Sequence, residues 1–300
     1  MAHKNKLLKY NSLSDHVTMA FVYFFTIFMV VVILIPLVFV VAASFSSPDA
    51  LLSAKVFLWP VDFTLRGYRM VIEHEMLPTA FRNTFLYTIL GTSINVVMTV
   101  LAAYPLSRKD LKIRNAVMML FAFTMLFNGG MIPTYLLVRN LGLLDTIWAM
   151  VLPNAMAVWN LIITRTYMQT TIPGEMLESA NIDGCDDFTF LLKMVIPLSV
   201  PIIAVNILLY AVGHWNSYFN AMMYLNNNKL YPLQLVLRDI LIQDDTAGMS
   251  MDVSKQLEKQ QTRYLLQYTT IVVGTVPVML LYPFIQRYFV TGMMVGAVKG

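Results

Sequence analysis

Six stretches of this 300-residue chain contain no Asp, Glu, Lys or Arg, and each is about as long as a membrane span. A charge at the bilayer centre costs roughly 2.5–3.5 kcal/mol on the insertion scale, and about 20 apolar residues cross the hydrocarbon core as a helix. We therefore predict an all-α membrane protein with six transmembrane helices. The spans are predicted at 18–44, at 196–220 and within 82–108, 114–139, 145–165 and 263–287.

The composition agrees with a membrane protein. Hydrophobic residues make up 58% of the chain and charged residues 13%, whereas about 25% of a soluble domain is charged. The single cysteine, Cys185, excludes an intramolecular disulfide and a cysteine-based zinc site, and the four histidines lack metal-ligand spacing, so no metal site is expected. The net charge of +4 fits basic residues at an anionic membrane surface, and no nucleic-acid partner is expected.

The N-terminal residues 1–10 are basic, but the apolar run that follows is too long for the core of a signal peptide. We expect it to be a retained first span in which Pro36 introduces a kink. The three prolines of 45–80 make that segment too irregular for a seventh span.

Short basic loops set the predicted orientation. Segment 107–114 carries four Lys or Arg residues, whereas the connection after the third span carries one. The positive-inside rule then places both termini, segment 107–114 and segment 171–197 in the cytoplasm. Segments 45–80 and 221–263 are then predicted to lie outside.

Segment 171–197 is a polar interruption between two apolar spans. Thr171 can cap a helix whose first turn contains Pro173, and Gly184 can adopt the left-handed conformation that ends a helix. The aspartates after Gly184 can cap a second helix. We predict a short helix, a sharp turn at Gly184 and a second helix at the membrane surface. On pattern alone, an ordinary amphipathic loop explains the segment equally well.

Catalytic and nucleotide-binding motifs are absent from the sequence, which contains no P-loop, no Gly-x-Ser-x-Gly and no His-Glu-x-x-His. The chain is therefore not expected to be an enzyme by itself. Acidic residues are almost absent from the predicted spans, whereas a proton- or sodium-coupled carrier usually needs ionisable groups there. This scarcity indicates that the driving energy comes from a partner.

Polar and aromatic residues are concentrated in and after the fifth predicted span, several of them on one helix face. Aromatic rings stack on the C–H faces of sugars and amides bond their hydroxyls, so these residues are candidates for a sugar path. The alternative is that the rings form an interfacial belt and the amides tie helices together. The candidates are Asn128, Asn206, Tyr210, His214, Trp215, Asn216 and Tyr218.

The segment 221–263 is long for a connection between spans. Ordered loops of this length are usually functional. It is predicted to meet a partner that delivers solute; the alternative is a simple surface or re-entrant cap.

Within 171–197 the sequence resembles the EAA loop of ABC-importer permeases. In that family the pattern is Glu-Ala-Ala, then a Gly four residues after the second Ala, then Ile-x-Leu-Pro. Here Ser179 replaces one Ala, and Met194–Pro197 replaces the last element. The matching residues are Glu178, Ser179, Ala180, Asp183, Gly184, Cys185, Ile196 and Pro197.

Three further stretches resemble carbohydrate-importer permeases of that superfamily. Residues 128–135 and 213–220 are similar to the branch serving complex oligo- and polysaccharides, the LplC-type permeases. Residues 296–300 are similar to the tail of a maltose permease subunit, which in the family reaches between two ATPase subunits. The resemblance therefore implies an ATPase contact for Val298, Lys299 and Gly300.

The resemblance implies a type I ABC importer permease (MetI-like) fold with a cytoplasmic coupling-helix loop at 171–197, in a bacterial cell membrane. Residues 1–80 would hold the first span and an outer segment, 81–290 the permease core and 291–300 a cytoplasmic tail. Glu178 would contact a basic residue of the ATPase, Ala180 and Gly184 would allow close packing, and Asp183 would fix the turn.

The implied partners are a second homologous permease in a heterodimer, two ATPase subunits that bind ATP and Mg²⁺, and a sugar-binding protein outside the cell. No cofactor is expected on this chain itself. Two alternatives stay open: an ABC permease for an amino acid or glycerol phosphate, and a stand-alone carrier or channel.

Overall fold

A computed structural model describes residues 13–246, 260–280 and 283. The described residues are mostly helical and include no β-strand. They fall into two compact units, one formed by 13–71 with 260–272 and the other by 72–246 with 273–280 and 283.

The first unit is built around one long apolar helix, α1 (Leu13–Ser44), which is followed by the short helices α2 (Pro48–Leu52) and α3 (Arg66–Ile72). Helix α1 continues through Pro36. Its most apolar stretch is exposed on all sides in the described structure. The hydroxyls of Thr18 and Thr26 donate to backbone carbonyls four residues earlier, at 2.9 and 2.7 Å, so α1 satisfies these polar groups internally.

The second unit contains the remaining helices, which are mostly short. A 3₁₀ turn (Leu152–Asn154) follows α7, a π-helical segment (Leu191–Val195) joins α10 to α11, and a second 3₁₀ turn (Asn228–Leu230) precedes α14. The helices are α4 (Leu77–Ser107), α5 (Arg114–Leu126), α6 (Met131–Asn140), α7 (Ile147–Val151), α8 (Val158–Thr171), α9 (Gly174–Ile182), α10 (Asp187–Phe190), α11 (Ile196–Leu198), α12 (Val200–Trp215), α13 (Tyr218–Tyr224) and α14 (Leu233–Thr246). Residues 260–280 are also helical, across both units.

Helices α1 and α4 are the two described helices that are long and apolar enough to cross a membrane by themselves. The number rises to five if each of three bent helix pairs is counted as one span. Their bends measure 110° between α5 and α6, 52° between the α7 segment and α8, and 79° between 187–198 and α12. Six spans remain a prediction, since residues 281, 282 and 284–287 of the last one lie outside the described residues.

The bend between α5 and α6 has a local cause. Gly130 adopts φ +87°, and its N–H donates to the side chain of Asn128 at 2.8 Å. The chain therefore turns at 128–130, between α5 and α6, and beyond the chain neighbours no described atom lies within 4 Å of where a Cβ on Gly130 would be.

Helix α4 organises the core of the second unit. Near its N-terminus, Tyr87 is buried against α7 and α13. Near its C-terminus, a second cluster joins α4, α8 and the predicted coupling loop. The buried members of that cluster are Val100, Ala103, Tyr104, Leu106, Leu161, Met168, Ala180, Phe190, Leu191 and Val195.

Candidate functional site

The predicted coupling loop begins with helix α9, which starts at Gly174 after Pro173. The expectation that Thr171 caps this helix is wrong, because Thr171 is the last residue of α8. Proline fixes its own φ and disfavours helix in the residue before it. Ile172 and Pro173 are accordingly extended, so the break falls after Thr171.

The sharp turn predicted at Gly184 is confirmed. Gly184 has φ +75°, and its N–H donates to the Asn181 carbonyl at 3.1 Å while that of Cys185 donates to the Ala180 carbonyl at 2.9 Å. These two bonds form a Schellman motif, which satisfies carbonyls left unpaired at the end of α9. Asp183 is the C-cap residue, and its N–H donates to the Ser179 carbonyl at 3.1 Å.

The second half of the loop is one helical run, 187–198. Asp186 caps it by accepting hydrogen bonds from the N–H groups of Phe188 and Thr189 at 3.2 and 3.3 Å. Hydrogen bonds from Thr189 and its neighbours hold the pKa of Asp186 below its usual value. The π-helical segment ends just before Ile196 and Pro197; proline has no N–H to donate, which favours a local change of helix type there.

The two halves of the loop differ in how firmly they are packed. Phe190 is 1% exposed against the C-terminal part of α4, whereas in α9 only Ala180 is buried. Fully burying a Phe or Leu side chain contributes about 1.5–3 kcal/mol. Ile182 is 86% exposed and Phe188 62% exposed, so the loop presents apolar side chains outward on both sides of the Gly184 turn.

A cleft of about 690 Å³, the loop cleft, lies beside α9. Glu178 lines it but makes no ion pair with any described residue. Ser179 is exposed, and its hydroxyl donates to the Glu175 carbonyl at 2.9 Å. The charged residues that line the loop cleft are Arg108, Lys109, Asp110, Arg114, Glu175 and Glu178.

Arg108 connects the end of α4 to this loop. Its guanidinium donates to both carboxylate oxygens of Asp110, at 3.0 and 2.6 Å, and to Asp187 at the start of α10. The bond from Arg108 lowers the pKa of Asp110. The sequence marked Arg108 only as a positive-inside residue, because nothing local indicates a partner 79 positions away.

Four of the predicted substrate-path residues are buried in contacts between helices. Asn206 donates to Thr164 at 2.6 Å, and the hydroxyl oxygens of Tyr210 and Thr99 are 2.7 Å apart. Nε2 of His214 lies 2.8 Å from Oδ1 of Asn95. Trp215 donates to the Gly274 carbonyl at 2.9 Å. This is the helix-tying arrangement that the sequence left open, and a role in a sugar path stays a prediction.

The other three candidates take no part in these buried contacts between helices. Asn128, Asn216 and Tyr218 are exposed. Asn216 donates to a carbonyl of its own helix, and the guanidinium of Arg238 lies 5.8 Å from the ring of Tyr218. The structure therefore does not bring all seven candidates into one site.

The segment predicted to lie outside is structured over 221–246, while 247–259 lies outside the described residues. It borders an acidic cleft of about 510 Å³ that Glu73, Glu75 and Asp239 help to line. Burial raises the pKa of Asp239.

A residue that the sequence did not single out fastens this segment to the connection before α7. Asp145 accepts hydrogen bonds from the backbone N–H groups of Asn226 and Asn227, the latter at 2.9 Å. Its φ is +56°, an uncommon value for a residue other than glycine. Such backbone strain persists only where surrounding contacts hold it.

The two remaining predictions concern the C-terminal tail and a metal site. The tail residues Val298, Lys299 and Gly300 lie outside the described part. Among the residues that are described, no group of three His, Cys, Asp or Glu is placed to hold a metal ion.

Known proteins resemble the chain over almost its whole length. The polygalacturonan/rhamnogalacturonan transport system permease protein YtcP of Bacillus subtilis is 41% identical over 93% of this chain and 97% of its own. Protein LplC of Bacillus subtilis is 39% identical over 89% and 90%. The crystal structure of a bacterial ABC transporter involved in the import of the acidic polysaccharide alginate contains a chain that superposes with a TM-score of 0.80 and 32% identity, covering 93% of this chain and 98% of that one.

The described helices therefore have the ABC-importer permease fold, called MetI-like. The pattern of the family described as "Binding-protein-dependent transport system inner membrane component" matches residues 95–295, about two thirds of the chain. With this match and relatives near 40% identity, the chain belongs to the family of inner membrane components of binding-protein-dependent transport systems.

Proposed function

We propose that this chain is a permease subunit of a binding-protein-dependent ABC importer for an oligo- or polysaccharide. The observation that carries the proposal is the likeness, over nearly the full chain, to YtcP and to the alginate transporter. Both of those proteins are named for polymers built with uronic acids. Acidic oligosaccharides are therefore the first substrates to test.

The chain would form half of the pathway, with a second homologous permease forming the other half. Two ATPase subunits, which bind ATP and Mg²⁺, would attach at the cytoplasmic face of a bacterial cell membrane. A sugar-binding protein would deliver the substrate from outside, and both termini of the chain would be cytoplasmic. Membership of a binding-protein-dependent family supports this assembly.

The loop 171–197 would be the docking element for an ATPase. Its turn at Gly184 is fixed by the Schellman motif, which supports a defined contact surface. Exposed Ile182 and Phe188 would fill an apolar groove of the partner, and Glu178, which has no ion pair among the described residues, would meet a basic side chain. Such apolar anchors, together with one charge pair, are typical of interface hot spots.

The proposal is tested by reconstituting the chain with its co-purifying permease, ATPases and binding protein in vesicles. Uptake and ATP hydrolysis are measured with oligogalacturonides, alginate oligomers and a neutral oligosaccharide such as raffinose. We expect an oligosaccharide to stimulate hydrolysis and to accumulate in the vesicles. Uptake by the purified chain without ATPases would contradict the proposal, as would the absence of stimulation by every glycan.

The docking element is tested with Glu178→Lys. This variant is expected to insert and assemble but to lose transport, because a reversed charge faces the basic partner. Asp15→Lys makes the same reversal of charge on the exposed first turn of α1, outside the loop, and serves as the matched control. Normal transport by Glu178→Lys while it stays bound to the ATPase would show that the docking assignment is wrong.

A further inference from the structure

Helix α4 is held at both ends by polar contacts to segments that are remote in sequence. It has 31 residues without a break, which at 1.5 Å per residue corresponds to a rod of about 45 Å. Its C-terminal end meets the coupling loop, and its N-terminal end meets the segment 229–233. A helix of this length reaches from one side of a bilayer to the other.

At the C-terminal end, Arg108 joins α4 to both neighbouring segments at once. Its guanidinium makes a two-pronged contact with Asp110 and a third contact with Asp187, and it lies 5.8 Å from the ring centre of Tyr104. Its side chain is only 17% exposed. A guanidinium presents its N–H donors in a fixed fork, so when several carboxylate oxygens accept from it, the contact fixes orientation as well as distance.

At the same end of α4, two arginine side chains bind backbone carbonyls next to a proline that interrupts the helical hydrogen bonds. Pro105 lies inside α4 and removes one backbone hydrogen bond of the last turn. Arg165 of α8 donates to the Leu106 carbonyl at 2.9 Å, and Arg114 donates to the Arg108 carbonyl at 2.9 Å. Buried Phe190 packs on the same turn, with its ring centre 6.5 Å from that of Tyr104.

At the N-terminal end, three side chains of α4 bind the backbone of 229–233. Asn83 donates to the carbonyls of residues 229 and 231 at 2.8 and 3.1 Å, and Tyr87 donates to the carbonyl of residue 230 at 2.7 Å. The N–H of residue 233, which begins α14, donates to Thr84 at 2.7 Å. These side chains are buried, so the contacts are protected from water.

We propose that α4 is a rigid connection between the coupling loop and the segment 229–233, with Arg108 and Asp187 as the positioning pair at one end and Tyr87 as a positioning residue at the other. The inference rests on the proposed function, since it assigns a path between the ATPase side and the solute-partner side. A displacement of the loop by the ATPase moves 229–233, and binding at 229–233 acts back on the loop with the same coupling free energy.

The pair is tested by charge exchange in the complete reconstituted complex. The readout is the ratio of ATP hydrolysis with binding protein and substrate to hydrolysis without them. Arg108→Glu and Asp187→Arg alone are each expected to lower this ratio by roughly fivefold or more. The triple variant that adds Asp110→Arg reverses all three charges, so both carboxylate contacts of position 108 are restored, and it is expected to return the ratio to within about twofold of the wild type. Lys112→Gln removes an exposed charge of the same connection between α4 and α5 that has no ion pair among the described residues, and is the control.

The other end is tested with Tyr87→Phe, which removes the hydroxyl and keeps the ring. The same ratio is expected to fall, although the residue lies far from the loop. Tyr135→Phe is the control, because the Tyr135 hydroxyl has no hydrogen-bond partner among the described residues and its ring stacks on Tyr224.

The outcomes separate the two proposals. If the wild-type complex responds to no glycan, the proposed function fails. If the wild type responds and both the charge-exchange singles and Tyr87→Phe respond equally well, α4 is not the connection. If the singles fail and the triple variant assembles but is not rescued, the positioning role of the pair is wrong.

Discussion

Two residues of the second unit, one in the loop and one before α7, adopt a backbone φ in the left-handed region. Gly184 and Asp145 both have positive φ, at +75° and +56°. The left-handed region costs residues other than glycine roughly 1–2 kcal/mol. At Gly184 that cost is avoided by the missing side chain, and at Asp145 it is offset by hydrogen bonds to the carboxylate.

Gly184→Ala is expected to destabilise the loop turn by about 1–2 kcal/mol through backbone strain alone, because the space around an added Cβ is open. Gly184→Val is expected to insert normally but to abolish transport. Gly174→Ala is the matched control, since its surroundings are equally open and its φ is not in the left-handed range. Thermal unfolding in detergent and co-purification of the ATPase measure both effects. Equal losses in the Gly174 and Gly184 variants would contradict this explanation.

The Asp145 contact is expected to depend on pH. Backbone N–H groups of Asn226 and Asn227 lower its pKa in the folded state. A lowered folded pKa means that the carboxylate contributes stability above the unfolded value of about 3.9, and that this contribution is lost as pH falls through the folded pKa. Protection of the Asn226 and Asn227 amides from hydrogen exchange, corrected for the intrinsic rate, should be constant from neutral to mildly acidic pH and decrease below that window.

The matched variant is Asp145→Asn, which keeps the size of the side chain but cannot ionise. Its amide protection should be lower than in the wild type and should show no acid transition from this site. An acid transition of the same size in both proteins would mean that another group controls this contact.

Between elements, α4 and α12 of the second unit approach each other closely at Gly91. A Cβ on Gly91 would lie 2.4 Å from the imidazole of His214, which is buried and held against Asn95. Membrane helices gain little from the hydrophobic effect when they associate, so close packing over small residues and interhelical hydrogen bonds stabilise them. Gly91 is therefore a position where the missing side chain allows α4 and α12 to pack.

Gly91→Ala is expected to destabilise the fold by about 1–3 kcal/mol, the usual cost of overpacking. The loss should shrink when His214→Ala is added, because the shorter side chain makes room for the new methyl group. Gly213→Ala, on α12 with open space around it, is the control. Thermal unfolding of the purified protein in detergent gives the comparison. Additive losses in the double variant would show that the two residues do not compete for space.

At the scale of the molecule, the chain provides structure and binding surfaces but no nucleotide-binding motif. Within its described residues, the second half of the loop packs on the C-terminal part of α4. Helix α4 is in turn joined to α12 by the buried contacts of Thr99 with Tyr210 and of Asn95 with His214. This continuity is what a subunit needs if a partner supplies the energy. A change on one side can then alter the other without local unfolding.

Deleting Val298–Gly300 is expected to reduce the coupling of ATP hydrolysis to transport more than it reduces assembly. The reason is the resemblance of the tail to one that reaches between ATPase subunits. Assembly is measured by co-purification, and coupling by the substrate-stimulated ATPase rate. A full-length chain with Lys299→Gln separates the charge from the length of the tail. Unchanged stimulated hydrolysis after the deletion would argue against this role.

Features that are encoded within a few residues could be predicted from the amino-acid sequence. Asp186 caps the second loop helix because its carboxylate reaches N–H groups two and three residues ahead. Gly184 turns the chain because it lacks a Cβ, and the long charge-free runs mark α1 and α4 because charge is excluded from lipid. The hydroxyl of Thr171 could have capped α9, but Pro173 disfavours helix in the residue before it. Helix α9 therefore begins at Gly174, and Thr171 ends α8.

Contacts between residues that are far apart in the chain became visible only in the folded protein. Arg108 and Asp187 are 79 positions apart, Asp145 and Asn226 are 81 apart, Asn95 and His214 are 119 apart, and Asn83 and Lys229 are 146 apart. No periodicity or motif encodes such pairs, because side-chain type fixes what a residue can bind and not which partner the fold brings within about 3 Å. That is why the turn at Gly184 could be read from the sequence, while the connection through α4 could not.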